Sequence, residues 1–118
     1  RGMKINENEN IQSVDVQMDG AKDVKMQILI GTGDESDNII MRKFKIAPGG
    51  HTPRHTHNYE HVVKIESNRG IIIDENGVEH KLAKGQSVYV KPNELHQFKN
   101  PFDEAFEFIC IIPNQDAH

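Results

Sequence analysis

Apolar and polar positions along the chain alternate in short packets. Segments of four to eight residues rich in Ile, Val and Phe recur at 24–30 (VKMQILI), 38–46 (NIIMRKFKI), 60–65 (EHVVKI), 70–73 (GIII), 87–90 (SVYV) and 105–112 (AFEFICII). The stretches between them carry turn chemistry, GTGDESDN, APGG, ESNRG, DENG, AKGQ, KPNE and KNPFDE, in which Gly, Pro, Asn and Asp supply the unusual dihedrals. No segment keeps a helical period. Strand-sized pieces at short spacing predict an all-β, antiparallel sandwich or barrel rather than an α/β fold. Because side chains alternate sides along a strand, Ile40, Arg42, Phe44 and Ile46 share one face, and Phe106, Phe108, Cys110 and Ile112 share another. Both faces should point inward. Arg42 is then the odd member, since an inward guanidinium needs water, an anion or a carboxylate, and it predicts a wet cavity.

Length and charge narrow the class. The chain of 118 residues and 13.4 kDa fits one ordinary domain, read as 13–118, with a polar, loose terminus at 1–12. Arg1 and Gly2 precede Met3, which has the look of a natural start, so those two residues are expected to be a remnant of expression. With 14 basic and 18 acidic side chains and a net charge of -4, no electropositive block is present to attract phosphate backbones or anionic lipids. Nucleic acid and membrane are not expected as partners. No apolar run approaches a spanning length and the start lacks the apolar core of a signal peptide, so a cytoplasmic location is expected. The single Cys110 permits no internal disulfide.

The candidate chemistry lies in HTPRHTHNYEH, residues 51–61, which holds four of the seven histidines. In an extended chain His55, His57 and His61, at even intervals, project from one face. Imidazole nitrogen is a common donor to first-row transition metals, and a His-x-His pair on a strand can offer two nitrogens to one ion. In KPNELHQFKN, His96 begins a strand just after a proline turn and can close the set from across a barrel. A lone strand histidine is more often exposed or paired than metal-bound. Three at even spacing plus a fourth shift that balance toward ligation. Glu60 is the rival carboxylate ligand, but it falls on the opposite face from His55 and His57 and ranks behind His61. His51 and His80 are expected to be solvated, and His118 is terminal and without context. GTGDES lacks the third glycine and following helix of a phosphate loop and reads as a surface turn.

These residues carry a resemblance. The chain resembles a small single-domain cupin of the RmlC-like kind, whose first motif is G-x5-H-x-H-x(3,4)-E-x6-G and whose second is G-x5-P-x-G-x2-H-x3-N. Gly49, His55 and His57 match the opening of the first, and His61 stands where the family usually has Glu. Gly85, His96 and Asn100 keep the separations of the second, while Pro92 is one residue late. Asn93 replaces the inner Gly, a change that its tolerance of positive φ permits. The closing Gly of the first motif is displaced to Gly70. The His-for-Glu departure, with MRxF, HxHxxEH and EFxCxIP, is similar to a four-histidine subgroup of small cupins.

The resemblance implies an antiparallel double-stranded β-helix, the jelly-roll or cupin barrel. It implies a divalent transition metal held by His55, His57, His61 and His96, manganese first, with iron, nickel, copper or zinc as alternatives. Arg42, Phe108 and Cys110 would line the pocket. Arg42 would orient an anionic or enolate group, and Glu60 would orient a ligand histidine. On this reading the protein is a metal-dependent oxidoreductase or dioxygenase acting on a small organic molecule. The alternatives are a non-catalytic metal or small-ligand binding or sensor module and, behind it, a metal-free structural dimer. A homodimer is expected, because an open sandwich exposes unpaired strands, with IQSVDVQM (11–18) as the exchanged segment.

Overall fold

The computed structural model describes residues 2–115. Among them nine strands carry the fold: β1 (Val14–Asp15), β2 (Lys22–Ile30), β3 (Ile39–His51), β4 (His61–Ser67), β5 (Arg69–Ile73), β6 (Glu79–Ala83), β7 (Ser87–Val90), β8 (Gln97–Lys99) and β9 (Phe106–Pro113). Every ladder is antiparallel. The order is β6-β5-β8-β3-β9-β4-β7, with β2 also paired to β3 and β1 to β2. This is the expected all-β class, a curled antiparallel sheet.

The curl comes from β3. Its first part pairs with β9 through Ile46, and its last residue, His51, pairs with Lys99 of β8, so one strand passes from one layer to the other. The passage lies at APGG, which was expected as a turn but stays inside the strand as a bend. Gly49 takes φ 84 there, and a Cβ on Gly50 would lie 2.6 Å from the Lys22 carbonyl oxygen. Both positions therefore need glycine.

The predicted face parity holds. Ile40 lies opposite Ile112, Arg42 opposite Cys110, Phe44 opposite Phe108 and Ile46 opposite Phe106. Ile46 and Phe106 are fully buried, and Val63, Ile65 and Phe98 pack with them in the core. The strand expected to begin at His96 is β8, β1 lies inside the expected 11–18 segment, and β6 has no apolar packet of its own. In EHKLA only Leu82 is buried and in QFK only Phe98, which leaves too little apolar pattern to read.

The polar start is not loose. Asn6 donates to the Leu29 carbonyl, and Gln27 donates to the carbonyls of Asn8 and Ile11, which lays residues 6–11 along β2. In segment 11–18, β1 pairs with β2 of its own chain and Val16 packs on the core. No described helix is long and apolar enough to cross a membrane. His118 lies outside the described residues.

Candidate metal centre

The histidine-bearing stretch departs from the extended strand assumed from spacing. β3 ends at His51 and β4 begins at His61; between them the chain is irregular. It is held in place by backbone contacts. The Thr52 N–H donates to the Phe98 carbonyl at 2.9 Å, and the Asn93 N–H donates to the His57 carbonyl at 2.6 Å. Thr52 Oγ1 in turn accepts from the Phe98 N–H at 2.9 Å. His55 and His96 exchange both backbone bonds, each 3.1 Å. The loop is thus zipped to the segment before β8, and this register places His55 directly opposite His96.

The four side chains converge. Ring centroids are separated by 4.3 Å for His55–His57, 5.2 Å for His55–His96, 5.0 Å for His57–His61, 5.1 Å for His61–His96 and 6.1 Å for His57–His96. His96 Nδ1 lies 2.9 Å from the Glu94 carbonyl oxygen. A carbonyl only accepts, so Nδ1 carries the proton and Nε2 keeps its lone pair, the arrangement a second partner gives to a ligating imidazole. The Nε2 atoms of His55 and His57 are 3.2 Å apart. Two nitrogens each ~2.1 Å from one ion would sit about 3.0 Å apart at a right angle and about 3.4 Å apart at the tetrahedral angle, so the observed spacing suits shared ligation. His61, only 5 % exposed, has its Nδ1 buried without a hydrogen-bond partner. Among the described residues no group of three or more His, Cys, Asp or Glu side chains is already closed around a common point, so ligation by all four asks for ring rotations within this cluster.

Electrostatics disfavour the charged form of His55, His57 and His61. Burial, reinforced by the neighbouring rings and Arg42, lowers His61 from 6.5 to about 3 and His55 to about 4. Burial also lowers His57, with His96 and Arg42 adding to it. Neutral imidazoles with buried lone pairs are what a cation needs from its donors, and the residues fit a divalent transition metal on that ground.

The rings open onto a cavity of about 110 Å³, walled by Phe44, Phe98, Phe108, Cys110 and Arg42, with Val16 and Met18 also lining it. Phe98 and Phe108 stack at 4.4 Å and Phe44 and Phe108 at 5.3 Å. Arg42 Nη2 approaches Cys110 Sγ at 3.5 Å. Burial raises the Cys110 thiol, against the opposing pull of Arg42, so it stays protonated at neutral pH. The structure therefore brings His55, His57, His61, His96, Arg42, Phe108 and Cys110 to one cavity. Glu60 it does not: that side chain is exposed and does not line the cavity, because the loop turns it outward. His80 sits on the surface, bonded to Asp74 at 2.7 Å.

Sequence reasoning missed Tyr59, whose ring stacks on His57 at 4.8 Å and lies 5.1 Å from His61. It also missed Phe98, Val16 and Met18. An aromatic between two spaced histidines was the one readable signal, for Tyr59 alone.

Comparison with known proteins adds the following. A family model described as a cupin domain matches residues 42–112. A curated 1-methylthio-D-xylulose 5-phosphate methylsulfurylase from Rhodospirillum rubrum is 33 % identical over 72 residues, 61 % of this chain, and the chain spans only 46 % of that protein's length. The solved polyketide cyclase RemF from Streptomyces resistomycificus superposes with a TM-score of 0.91 at 24 % identity, over 95 % of this chain and 80 % of that one. A predicted oxalate decarboxylase from Thermotoga maritima superposes at 0.82 with 21 % identity, over 93 % and 98 %.

Proposed function

The chain belongs to the cupin domain family, and on that premise we propose that it is a divalent-metal-dependent enzyme of the four-histidine kind, an oxidoreductase or dioxygenase acting on a small organic molecule. The observation that carries this reading is the convergence of four imidazoles, from the 52–60 loop, the start of β4 and the residue before β8, on one partly enclosed cavity. Enzymatic names among the similar proteins, a methylsulfurylase and a polyketide cyclase, support catalysis over storage without indicating a substrate.

His55, His57, His61 and His96 would hold the ion, manganese first, with iron, nickel, copper or zinc as alternatives. When bound, it supplies Lewis-acid or redox chemistry at the cavity floor. The chain does the rest. The Glu94 carbonyl fixes the His96 tautomer, and the backbone bonds of the loop set the other rings. Phe44, Phe98 and Phe108 exclude water from the wall and give a bound molecule an apolar surface. Tyr59, packed on His57, restrains that ring. Among the described residues no carboxylate lines the cavity, so none of them offers a carboxylate to receive a substrate proton.

Elemental analysis of the purified and of the manganese-reconstituted protein tests the reading, beside a His57→Ala/His96→Ala double variant. Stoichiometric metal in the parent and its loss in the double variant are expected. Metal-free parent after reconstitution, or equal metal in the variant, overturns it. Oxygen uptake with catechol, flavonol and diketone substrates then separates an enzyme from a ligand-binding module, which would stay silent across the panel.

A further inference from the structure

Arg42 has no role in holding an ion, yet it stands in the same cavity. Among the described residues lining that space it is the one permanently charged side chain. Among the described residues no carboxylate pairs with it: the ion pairs there use Lys25, Lys43, Lys64, Lys99 and His80. Its Nε is buried without a hydrogen-bond partner. The contacts that remain are the Cys110 sulfur at 3.5 Å, a weak acceptor, and the Phe44 ring at 4.9 Å. A guanidinium stays charged at any accessible pH. Holding it partly out of water without a carboxylate or several carbonyls leaves the hydration of its buried Nε uncompensated. The cavity is where the compensation can come from.

The rest of the lining narrows what supplies it. Beside the imidazoles and the Thr52 hydroxyl, which is already bonded to the main chain, the walls are Val24, Phe44, Phe98 and Phe108, so among the described residues Arg42 is the one permanently charged group offered to an anion. One cation suits one negative charge. The volume of about 110 Å³ lies well under the ~300–1,000 Å³ of a drug-sized pocket, so only a few non-hydrogen atoms fit beside the rings. Met18, 53 % exposed, also lines the space, where an unbranched thioether can give way to different shapes. We propose that Arg42 anchors the substrate, a small organic monoanion whose carboxylate or enolate pairs with the guanidinium while its apolar body lies against Phe108 and extends past Met18. The anchor rests on the proposed site because the two share a cavity, but it requires no metal.

Binding of propanoate and of its neutral isostere propanamide, measured by calorimetry or ligand-observed NMR, separates the two ideas. It is done on the chelated and on the manganese-loaded full chain. Chelated protein is expected to prefer propanoate by about tenfold or more, the scale of a charged hydrogen bond. Arg42→Met, which keeps the apolar stem, should lose that preference, and Arg42→Lys should keep part of it; circular dichroism confirms that each variant is folded. Equal binding of the two probes, absence of propanoate binding, or a preference that survives in Arg42→Met overturns the anchor. A preference seen only with manganese and untouched by Arg42→Met overturns it too, assigning the anion to the ion and leaving the metal reading standing. Arg42-dependent binding in a protein that retains no metal upholds the anchor while the metal reading fails.

Discussion

Acidifying the chelated protein from about pH 7.5 to about pH 5 should cost roughly 2–3 kcal/mol of stability, and the loss should trace to the cavity imidazoles. An unfolded histidine titrates near 6.5, whereas burial holds His61 at about 3 and His55 at about 4 in the folded chain. Above pH 6.5 neither state is protonated at these groups and their contribution does not change. Below it the unfolded chain takes up protons that the folded chain refuses, so stability falls with pH until the folded-state values are reached. Each group costs ~1.4 kcal/mol per pH unit in that window. From 6.5 to 5 this is about 2 kcal/mol for His61; His55, partly open to solvent, is counted at about half. Asp34 and Asp74, held below the usual carboxylate value by Asn6 and His80, lose their contribution mostly at lower pH and leave the window to the imidazoles. Urea midpoints at the two pH values read the effect directly, as a fall of about 1–2 M. A His55→Asn/His61→Gln double variant should flatten the pH dependence. If parent and variant midpoints shift equally, the burial argument for this site is wrong.

Substitutions at Gly70, Asn100 and Asn93 probe the scaffold under the site. A Cβ on Gly70 would meet Phe106 ring carbons at 2.2–2.5 Å, so Gly70→Ala should lower stability by about 1–3 kcal/mol or more, and Phe106→Leu on that background should recover part of it in denaturant titrations. Asn100, only 1 % exposed, donates to the Ile46 and Glu104 carbonyls and accepts from the Phe102 N–H; Asn100→Ala should cost ~2–4 kcal/mol by thermal melting, because those groups lose their partners in the interior. Asn93 adopts φ 65, so Asn93→Gly should stay within about 0.5 kcal/mol of the parent while Asn93→Val costs ~1–2 kcal/mol.

Two kinds of strand behave differently when read from sequence. β3 and β9 were legible because each turns one face inward, fully buried in β9 and partly in β3, so that alternation of apolar residues maps onto the barrel interior, and even the inward Arg42 followed from that parity. β8 was marked only by the proline turn before His96 and β1 only as part of 11–18, and β6 was not legible. Each is short, and in β6 and β8 a single residue is buried, so partners across the sheet fix them rather than their own pattern. APGG misled for a related reason. Glycine and proline mark backbone that bends, but whether a bend reverses the chain or redirects one strand depends on what pairs beyond it, and here β8 continues the ladder at His51. Asn93 shows the opposite case, a local conformational need visible in one residue type.

The site was legible in composition and not in geometry. Even spacing singled out His55, His57 and His61 by assuming a strand, but the loop is irregular, and the rings meet because its backbone is zipped to the segment before β8. The loop still exposes Glu60 and keeps Tyr59 on the side of the histidines, as strand parity would, but its irregular path stacks the Tyr59 ring directly on His57. It carries a consequence for any experiment on the ligands. The loop is anchored by main-chain bonds at Thr52, His55 and His57 and by the Thr52 hydroxyl, none of which uses an imidazole. His57→Ala and His96→Ala remove rings and leave those anchors, although the alanine at 96 also gives up the bond to the Glu94 carbonyl. Loss of metal from such variants, with the denaturation midpoint of the chelated protein unchanged or raised by removal of desolvated imidazoles, would therefore report on ligation and not on folding. A midpoint lowered by the equivalent of several kcal/mol of stability would show that the rings themselves hold the loop.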